Sequence, residues 1–319
     1  MTQALQNKLI TVFGGSGFLG RYVCAELLTS GARLRVAGKS AASGLHIKPL
    51  GNLGQVQLIA ADVRRPADVI RAAHGADMLV NLVGSFANMD AVQHIGAGNV
   101  AAAAKKAGAS ALVHISAIGS DPTSAALYGR SKAAGEAAVM AAFPNATILR
   151  PSIVFGREDA FINRFASLIQ MLPIVPVIGG DTKFQPVYVG DVAQAVRGAL
   201  SNPSTYAGEI YELGGPQIFT MRALNEWIAK AIGREPSFID IPDFAAKALA
   251  IGTGWLPGAP ITYDQYKMLG HDNIVNPDAD GMAAMGIAPT SLDAAAHDWL
   301  NIYRKHGRFG DTSRQNLAA

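Results

Sequence analysis

Leu9-Ile10-Thr11-Val12-Phe13-Gly14-Gly15-Ser16-Gly17-Phe18-Leu19-Gly20-Arg21 decides the fold. An apolar run reads as a strand, a glycine-rich turn follows, and a helical pattern (Phe18, Leu19, Tyr22, Val23, Leu27, Leu28) starts at once. Gly14, Gly17 and Gly20 recur at every third position. In such a strand–turn–helix the first glycine permits the tight turn and the second lets backbone approach a pyrophosphate. The third lets helix pack on strand. The helix N-terminus then offers N–H groups and a positive dipole end to the phosphates. Gly14, Gly15, Ser16, Gly17, Phe18, Leu19, Gly20 and Arg21 are therefore the expected cradle of a dinucleotide.

Outward from this stretch, the first half of the chain alternates strand and helix patterns. Strands are expected over Leu9–Phe13, Arg33–Ala37, Val56–Ala60, Met78–Val83, Ala111–Ser116 and Ala146–Arg150. Helices are expected over Gly17–Ser30, Pro66–Ala73, Ala91–Ala107 and Ser124–Ala142. Short runs of Val, Ile and Leu are what a parallel sheet covered on both faces requires. The expected fold class is α/β: a Rossmann-type doubly wound parallel sheet with a smaller, mainly helical C-terminal domain. Residues 1–155 form the dinucleotide-binding domain, and 184–213 return to it. Residues 156–183 and 214–306 form the smaller domain, and 307–319 a flexible tail. Beyond Pro151 the pattern predicts a helix over Ala160–Met171, a Pro- and Gly-rich loop to Asp181 and a strand over Phe184–Val189. Asp191 then caps a helix through Leu200, Glu209–Leu213 is a strand, and helical patterns dominate to Lys305.

Composition narrows the function. The chain has 319 residues, half of them hydrophobic and 16% charged, with a mean hydropathy of +0.20. A net charge of +3 with dispersed basic residues gives no case for nucleic acid. The one cysteine, Cys24, lies in the first helical pattern and reads as a small buried apolar residue. The 7 histidines show no metal spacing, so no metal is expected. Met1–Lys8 reads as a polar lead and not as a targeting peptide. No apolar run is long enough to span a membrane; the nearest, Phe165–Ile178, contains Pro173 and Pro176. A cytoplasmic protein is expected, with peripheral contact on the bacterial inner membrane as the alternative.

The nucleotide is legible one strand further on. NAD sites of this kind hold the ribose 2′-hydroxyl with an acidic side chain about 20 residues beyond the glycines. Here no Asp or Glu stands between Glu26 and Asp62, and Lys39 follows the second strand. Lys39, with Arg21 in the adjacent helix, would attract a 2′-phosphate. NADP(H) is therefore favoured and NAD(H) is the alternative; plain solvated surface is the other reading of either cation. Asp62 and Val63 end the third strand on the adenine side, where Asp62 would accept from the amino group or serve as a turn cap. Val83 and Gly84 end the fourth, beside the adenosine ribose.

Tyr128 and Lys132 stand four apart on one face of a helix that follows the fifth strand. An ammonium close by lowers a phenol's pKa, so that Tyr128 would exchange a proton while Lys132 holds the nicotinamide ribose. Tyr263 and Lys267 repeat the spacing but follow no parallel strand, and read as a decoy. The glycine turn, the strand order, Tyr128/Lys132, Leu149-Arg150-Pro151 and Val187-Tyr188-Val189-Gly190-Asp191-Val192 together resemble the extended short-chain dehydrogenase/reductase superfamily. That resemblance implies that Pro151 to Val154, Ile153 included, pass near the nicotinamide. Lys48-Pro49-Leu50-Gly51-Asn52-Leu53-Gly54-Gln55, Phe155-Gly156-Arg157-Glu158-Asp159, Asn163-Arg164-Phe165-Ala166 and Gln185-Pro186-Val187-Tyr188-Val189 resemble one atypical branch. It contains the nucleotide-binding accessory subunit of mitochondrial respiratory complex I and its bacterial relatives. This resemblance implies a structural NADPH and a respiratory-chain partner, and a related branch implies a quinone-biosynthesis assembly.

Active reductases of the superfamily carry Ser or Thr at the end of the fifth strand to orient the substrate carbonyl. Here the register puts Ala117 there, with Ser116 and Ser120 as the nearest hydroxyls. Ser116 is the catalytic candidate by proximity, although strand alternation turns it to the opposite side. Two functions follow. One is a non-turnover NADP(H)-binding accessory or assembly factor. The other is an active NAD(P)-dependent oxidoreductase or epimerase acting on a sugar nucleotide, sterol-like or isoprenoid carbonyl. Few cations serve a sugar diphosphate: Arg157, Arg164, Lys183 and Arg222. Asp121, Glu136 and Glu158 read as caps and surface charges. Pro242–Pro257, with Phe244, Ile251 and Trp255, reads as a core helix of the small domain, a partner- or membrane-contacting face being its alternative.

Overall fold

Apolar runs bounded by glycine, proline and polar turns form the strands, and the helices between them return the chain to the start of the next one. The structure is a computed structural model and describes residues 3–256, 259, 261–305 and 307. In chain order it runs β1 (Leu9–Phe13), α1 (Phe18–Thr29), β2 (Arg33–Gly38), β3 (Val56–Ala60), α2 (Pro66–Ala73), β4 (Met78–Asn81), α3 (Gly96–Ala107), β5 (Ala111–Ile115), α4 (Leu127–Ala142) and β6 (Thr147–Pro151). There follow β7 (Val154–Phe155), α5 (Phe161–Met171), β8 (Ile174–Val177), β9 (Lys183–Phe184), β10 (Val187–Tyr188), α6 (Val189–Ser201), α7 (Pro203–Tyr206) and β11 (Ile210–Leu213). The chain closes with β12 (Phe219–Thr220), α8 (Met221–Ala231), β13 (Ser237–Asp240), α9 (Asp243–Thr253), α10 (Tyr263–Met268), α11 (Leu292–Ala295) and α12 (His297–Leu300).

Two compact units result. The first takes the chain to Pro151, then Val189–Gly214 and Val275–Ala288; the second takes Ser152–Tyr188, Gly215–Ile274 and the chain from Pro289. The first unit holds a parallel sheet in the order β11-β6-β5-β4-β1-β2-β3. The order reverses between β1 and β4, so their carboxyl ends border the crevice where such sheets bind ligands. Phe13, Leu79, Val100, Leu112 and Val139 form the core under α2, α3 and α4. On the other face α1 packs with α6, and Arg197 Nε donates to Glu26 Oε1 at 2.6 Å. Residues 275–288 cover the edge strand: Glu212 N donates to Asp280 O at 2.9 Å, and Asn276 N to Glu212 Oε2 at 2.9 Å.

The second unit packs α5, α8, α11 and α12 around Phe155, Ile162, Leu224, Ile228, Trp299 and Leu300. Short two-stranded pairings, β7 with β10, β8 with β13 and β9 with β12, complete it.

Several expectations differ from what is observed. The expected strand Phe184–Val189 divides into β9 and β10, because Gln185 N turns to Asn273 O (3.1 Å) and Pro186 has no N–H to give. The chain consequently rejoins the first unit at Val189 and not at 184, and 275–288 belong to that unit and not to the smaller one. Helix α6 already begins at Val189, which puts Asp191 in its first turn instead of at its cap. The loop expected before Asp181 contains β8, and the run expected to be helical to Lys305 is interrupted by β13 and by the irregular 271–290. The helix expected from Ala91 opens as a π-helical turn, Asp90–Ile95. Helix α9 is not a core helix. Only Ala246 and Ala250 are buried, while Phe244 is 76% exposed and Trp255, just beyond the helix end, 77%. The expected tail lies outside the described residues apart from Gly307.

Candidate functional site

The glycine turn is built for close approach. Gly14 has φ +79°, a conformation that side chains disfavour, and Gly17 N donates to Gly14 O at 3.0 Å to close the turn. A Cβ on Gly20 would overlap the Gly14 carbonyl oxygen and come within 2.6 Å of Gly15 Cα, so only hydrogen fits there. Gly17 is the N-cap of α1 and supplies no side-chain bond. The first-turn N–H groups are thus left for an anion, and the cradle fits a pyrophosphate. Ser43 Oγ donates to Ser16 Oγ at 3.3 Å beside the turn. Lys39 and Arg21 are both exposed at this end of the sheet.

At the end of β3, Asp62 is committed to Arg64, a residue that sequence reasoning passed over. Arg64 Nε donates to Asp62 Oδ1 at 3.0 Å and Nη2 to Oδ2 at 2.5 Å. That pairing first of all, with a smaller contribution from the Lys39 charge, pulls the Asp62 carboxyl down to about 2. Val63 is buried and would meet a Cβ on Gly96 at 2.8 Å, so Gly96 lets α3 settle against it. Beyond β4, Leu82 N donates to Phe13 O at 2.9 Å, which sets Val83 and Gly84 beside the glycine turn.

Lys132 is 4% exposed and its Nζ donates to Ile115 O at 3.1 Å, at the carboxyl end of β5. Burial pushes its ammonium down to about 8 in spite of Glu136 close by. Nearest to where a Cβ would stand on Gly84 is Lys132 Nζ, at 3.8 Å, so the β4 turn and Lys132 border one space. Tyr128 is half-buried, and Lys132 Nζ lies 5.9 Å from the centroid of its ring. Burial pushes the phenol up to about 12, so desolvation outweighs the lowering that the ammonium was expected to give. Phe86 stacks on Tyr128 with centroids 4.9 Å apart and planes inclined by 19°.

Ser116 N donates to Leu149 O and Ile118 N to Pro151 O (2.8 and 3.1 Å), so β5 keeps its strand bonding past its end. Alternation then turns Ser116 to the side of Leu112 and His114, towards the α3–α4 layer, and Ala117 to the other. Ser116 is 3% exposed and its Oγ has no partner among the described residues, nor does the buried Oγ of Ser120. His114 is held neutral: Asn81 Oδ1 accepts from Val83 N (3.2 Å), which turns Asn81 Nδ2 to His114 Nδ1 (3.1 Å). Burial, with the Lys132 charge second, lowers its imidazole to about 3. Asn81 and His114 carried a signal, since each is polar in an otherwise apolar strand; Phe86 carried none.

Pro151 ends β6 in the first unit, while Ile153 belongs to the second, where Val187 N donates to its carbonyl at 2.9 Å. The second Tyr–Lys pair lies on the six-residue α10, with Lys267 Nζ 4.6 Å from the Tyr263 ring centroid. Among the described residues no group of three or more His, Cys, Asp and Glu is placed to hold a metal. No helix of the described residues is long and apolar enough to cross a membrane. The Glu136 carboxylate takes Arg150 Nε and Nη2 at 2.9 and 2.7 Å and serves structure.

Comparison with known proteins agrees with this geometry. The model of the NAD dependent epimerase/dehydratase family matches residues 10–214. NADH dehydrogenase (ubiquinone) 1 alpha subcomplex subunit 9 of Arabidopsis thaliana is 34% identical over 332 residues, covering 98% of this chain and 83% of that protein. The NADH-ubiquinone oxidoreductase 40 kDa subunit of Neurospora crassa is 30% identical, covering 96% of this chain and 82% of its own. In fold, the Citrobacter sp. triphenylmethane reductase complexed with NADP(H) superposes with a TM-score of 0.74. It is 17% identical and covers 91% of this chain and 99% of its own. This chain therefore belongs to the NAD dependent epimerase/dehydratase family, in the branch that contains subunit 9 of the complex I alpha subcomplex.

Proposed function

We propose that this chain is an accessory subunit that holds a nicotinamide nucleotide within a respiratory assembly, that the nucleotide is NADP(H), and that it is kept without turnover. The observation that carries this reading is a complete cradle joined to an incomplete reactive end. Gly14, Gly17 and Gly20 leave room for the pyrophosphate and Lys132 for the ribose. Ala117 has no hydroxyl, and Ser116 turns towards the helix layer. A missing hydrogen bond to a developing oxyanion costs about 3 kcal/mol, a hundredfold in rate. Lys39 and the absence of an acid in its place support NADP(H) over NAD(H). The relatives named as complex I subunits support the respiratory partner. Phe244 and Ile251 on α9, with Trp255 just beyond its end, supply exposed apolar side chains for docking. A quinone-biosynthesis assembly or the inner-membrane surface is the other setting these side chains fit. Bound tightly to the native state alone, the nucleotide would add several kcal/mol of stability.

The second reading is an active NAD(P)-dependent oxidoreductase or epimerase, and the buried Lys132 beside Tyr128 favours it. A phenol that keeps its proton at neutral pH suits donation to a developing alkoxide, hence reduction. One experiment separates the two. The purified chain is denatured, its released nucleotide identified, and the native protein assayed with a panel of carbonyls and alcohols. The expected result is NADP(H) release, a rise in Tm on adding NADPH, and no turnover that Tyr128→Phe abolishes. Turnover lost in Tyr128→Phe would overturn the first reading.

A further inference from the structure

We propose that Phe86 is a shelf for a second ligand of this site, and that this ligand is a flat, uncharged aromatic ring and not a sugar diphosphate. The inference rests on the reading of Tyr128 and Lys132 as the reactive end of the nucleotide site.

Phe86 sits in the turn after β4 and is 57% exposed, although its ring stacks on Tyr128. A centroid separation of 4.9 Å with planes 19° apart is an offset stack, which covers one face of Phe86 and leaves the other open. Single exposed apolar side chains are ordinary. Three features set this one apart. Among the described residues, Phe86 is the only aromatic side chain among the exposed large hydrophobics of its unit. Its loop is also anchored: Ala87 N donates to Ser85 Oγ at 3.0 Å, and Gln93 Nε2 donates to Ser85 O at 2.7 Å. Gln93 is 1% exposed, and a Cβ on Gly135 of α4 would overlap its carbonyl oxygen. The loop that carries Phe86 and the helix that carries Tyr128 are thus fixed to each other, so the aromatic pair is pre-organised and orders little on binding.

The third feature is what surrounds the pair. Leu127, 44% exposed, precedes Tyr128 and adds an apolar side chain beside the pair. Of the cations on α4, Lys132, 5.9 Å from the Tyr128 ring centroid, donates to the Ile115 carbonyl and is the ribose ligand of the nucleotide reading, and Arg130 spends its Nη1 on the carbonyls of Ser124 and Ala125 at 2.6 and 2.9 Å. With the nucleotide on Lys132, a diphosphate would find little uncommitted charge here, whereas a flat ring would complete a three-layer stack.

The test puts 4-fluorophenylalanine at position 86 of the full chain and follows its fluorine resonance with and without NADPH. Additions are 1-indanone (a flat aromatic ketone), cyclohexanone (the same group without a flat ring) and UDP-glucose. The expected result is a saturable ring-current shift with 1-indanone and none with the other two. Phe86→Ala should weaken 1-indanone binding about threefold to tenfold, the worth of one aromatic pair, with the NADPH affinity unchanged. An unmoved resonance with 1-indanone, or a shift caused by UDP-glucose, overturns the proposal. NADPH fluorescence on the same sample keeps the failures apart. Loss of NADPH binding with the indanone shift intact sinks the nucleotide reading and leaves the shelf; NADPH binding without the shift sinks the shelf alone.

Discussion

The chain carries the Tyr-x-x-x-Lys spacing twice, and the two copies have different surroundings. Lys132 lies 4% exposed at the carboxyl end of a parallel strand, bonded to a strand carbonyl, and burial lowers its ammonium to about 8. Lys267 lies over the ring of Tyr263, which is 40% exposed and stacks on Tyr266 on a helix of six residues. The second pair has the closer ring–ammonium contact, 4.6 Å against 5.9 Å, so spacing and proximity do not make a site. What differs is the frame. Helix α4 starts just beyond β5, beside the crevice where the strand order reverses, and desolvation there gives charge its strength.

Glycines test this frame with the largest effect. Gly20→Ala forces a methyl into Gly14 and Gly15, so α1 must leave β1. Stability should fall by about 3 kcal/mol and nucleotide affinity by more than about a hundredfold, read by thermal unfolding with and without NADPH. Gly252→Ala in α9 has open space around its Cβ, and should gain up to about 1 kcal/mol from helix propensity. Equal effects of the two substitutions would end the claim that the glycine turn is the more constrained region.

The lysines come next. Lys132→Met should cost about 2 kcal/mol of NADPH affinity, the worth of a charged hydrogen bond, and Lys267→Met nothing measurable. The sign of the pH dependence follows from the lowered ammonium: a ligand that needs the charged form binds fully below about pH 8 and progressively less above it. Lys132→Met should flatten that slope in titrations between pH 7 and 9.5. A slope that survives in Lys132→Met assigns it to another group and removes the distinction drawn between the pairs.

The same contrast explains what the sequence could tell. β1 and α2 are observed over the residues expected, Leu9–Phe13 and Pro66–Ala73, because an apolar run ended by Gly14 and a helix opened by Pro66 are local signals. Strand β8 was not legible. Pro176 argues against a strand, and its pairing to β13, Ile174 opposite Ser237, is tertiary. The exposure of α9 was hidden for a like reason, since Phe244, Ile251 and Trp255 show the same periodicity on a core helix as on an open one. In the site, Gly20 and Lys132 could be read because spacing carries them. Arg64 could not, because a cation two residues from Asp62 announces nothing until both nitrogens are seen on the carboxylate. Ser116 was legible only in part: alternation gave its direction, and burial without a partner needed the helix layer above it.

Lys39 carries the smallest expected effect and tests the proposed preference for NADP(H). Its side chain is exposed, so a contact with a 2′-phosphate is worth about 1 kcal/mol, about a fivefold preference. Asp62 does not oppose it, because Arg64 already neutralises that carboxylate. Lys39→Ala should lower the ratio of NADPH to NADH affinity about fivefold at low salt while leaving NADH binding unchanged. At about 1 M salt, where the screening length is about 3 Å, the wild-type ratio should approach that of the variant. A ratio indifferent to both Lys39→Ala and salt would mean that the acid-free stretch after β2 does not select the phosphate. The first unit would then hold a nicotinamide nucleotide through its glycines and Lys132 alone.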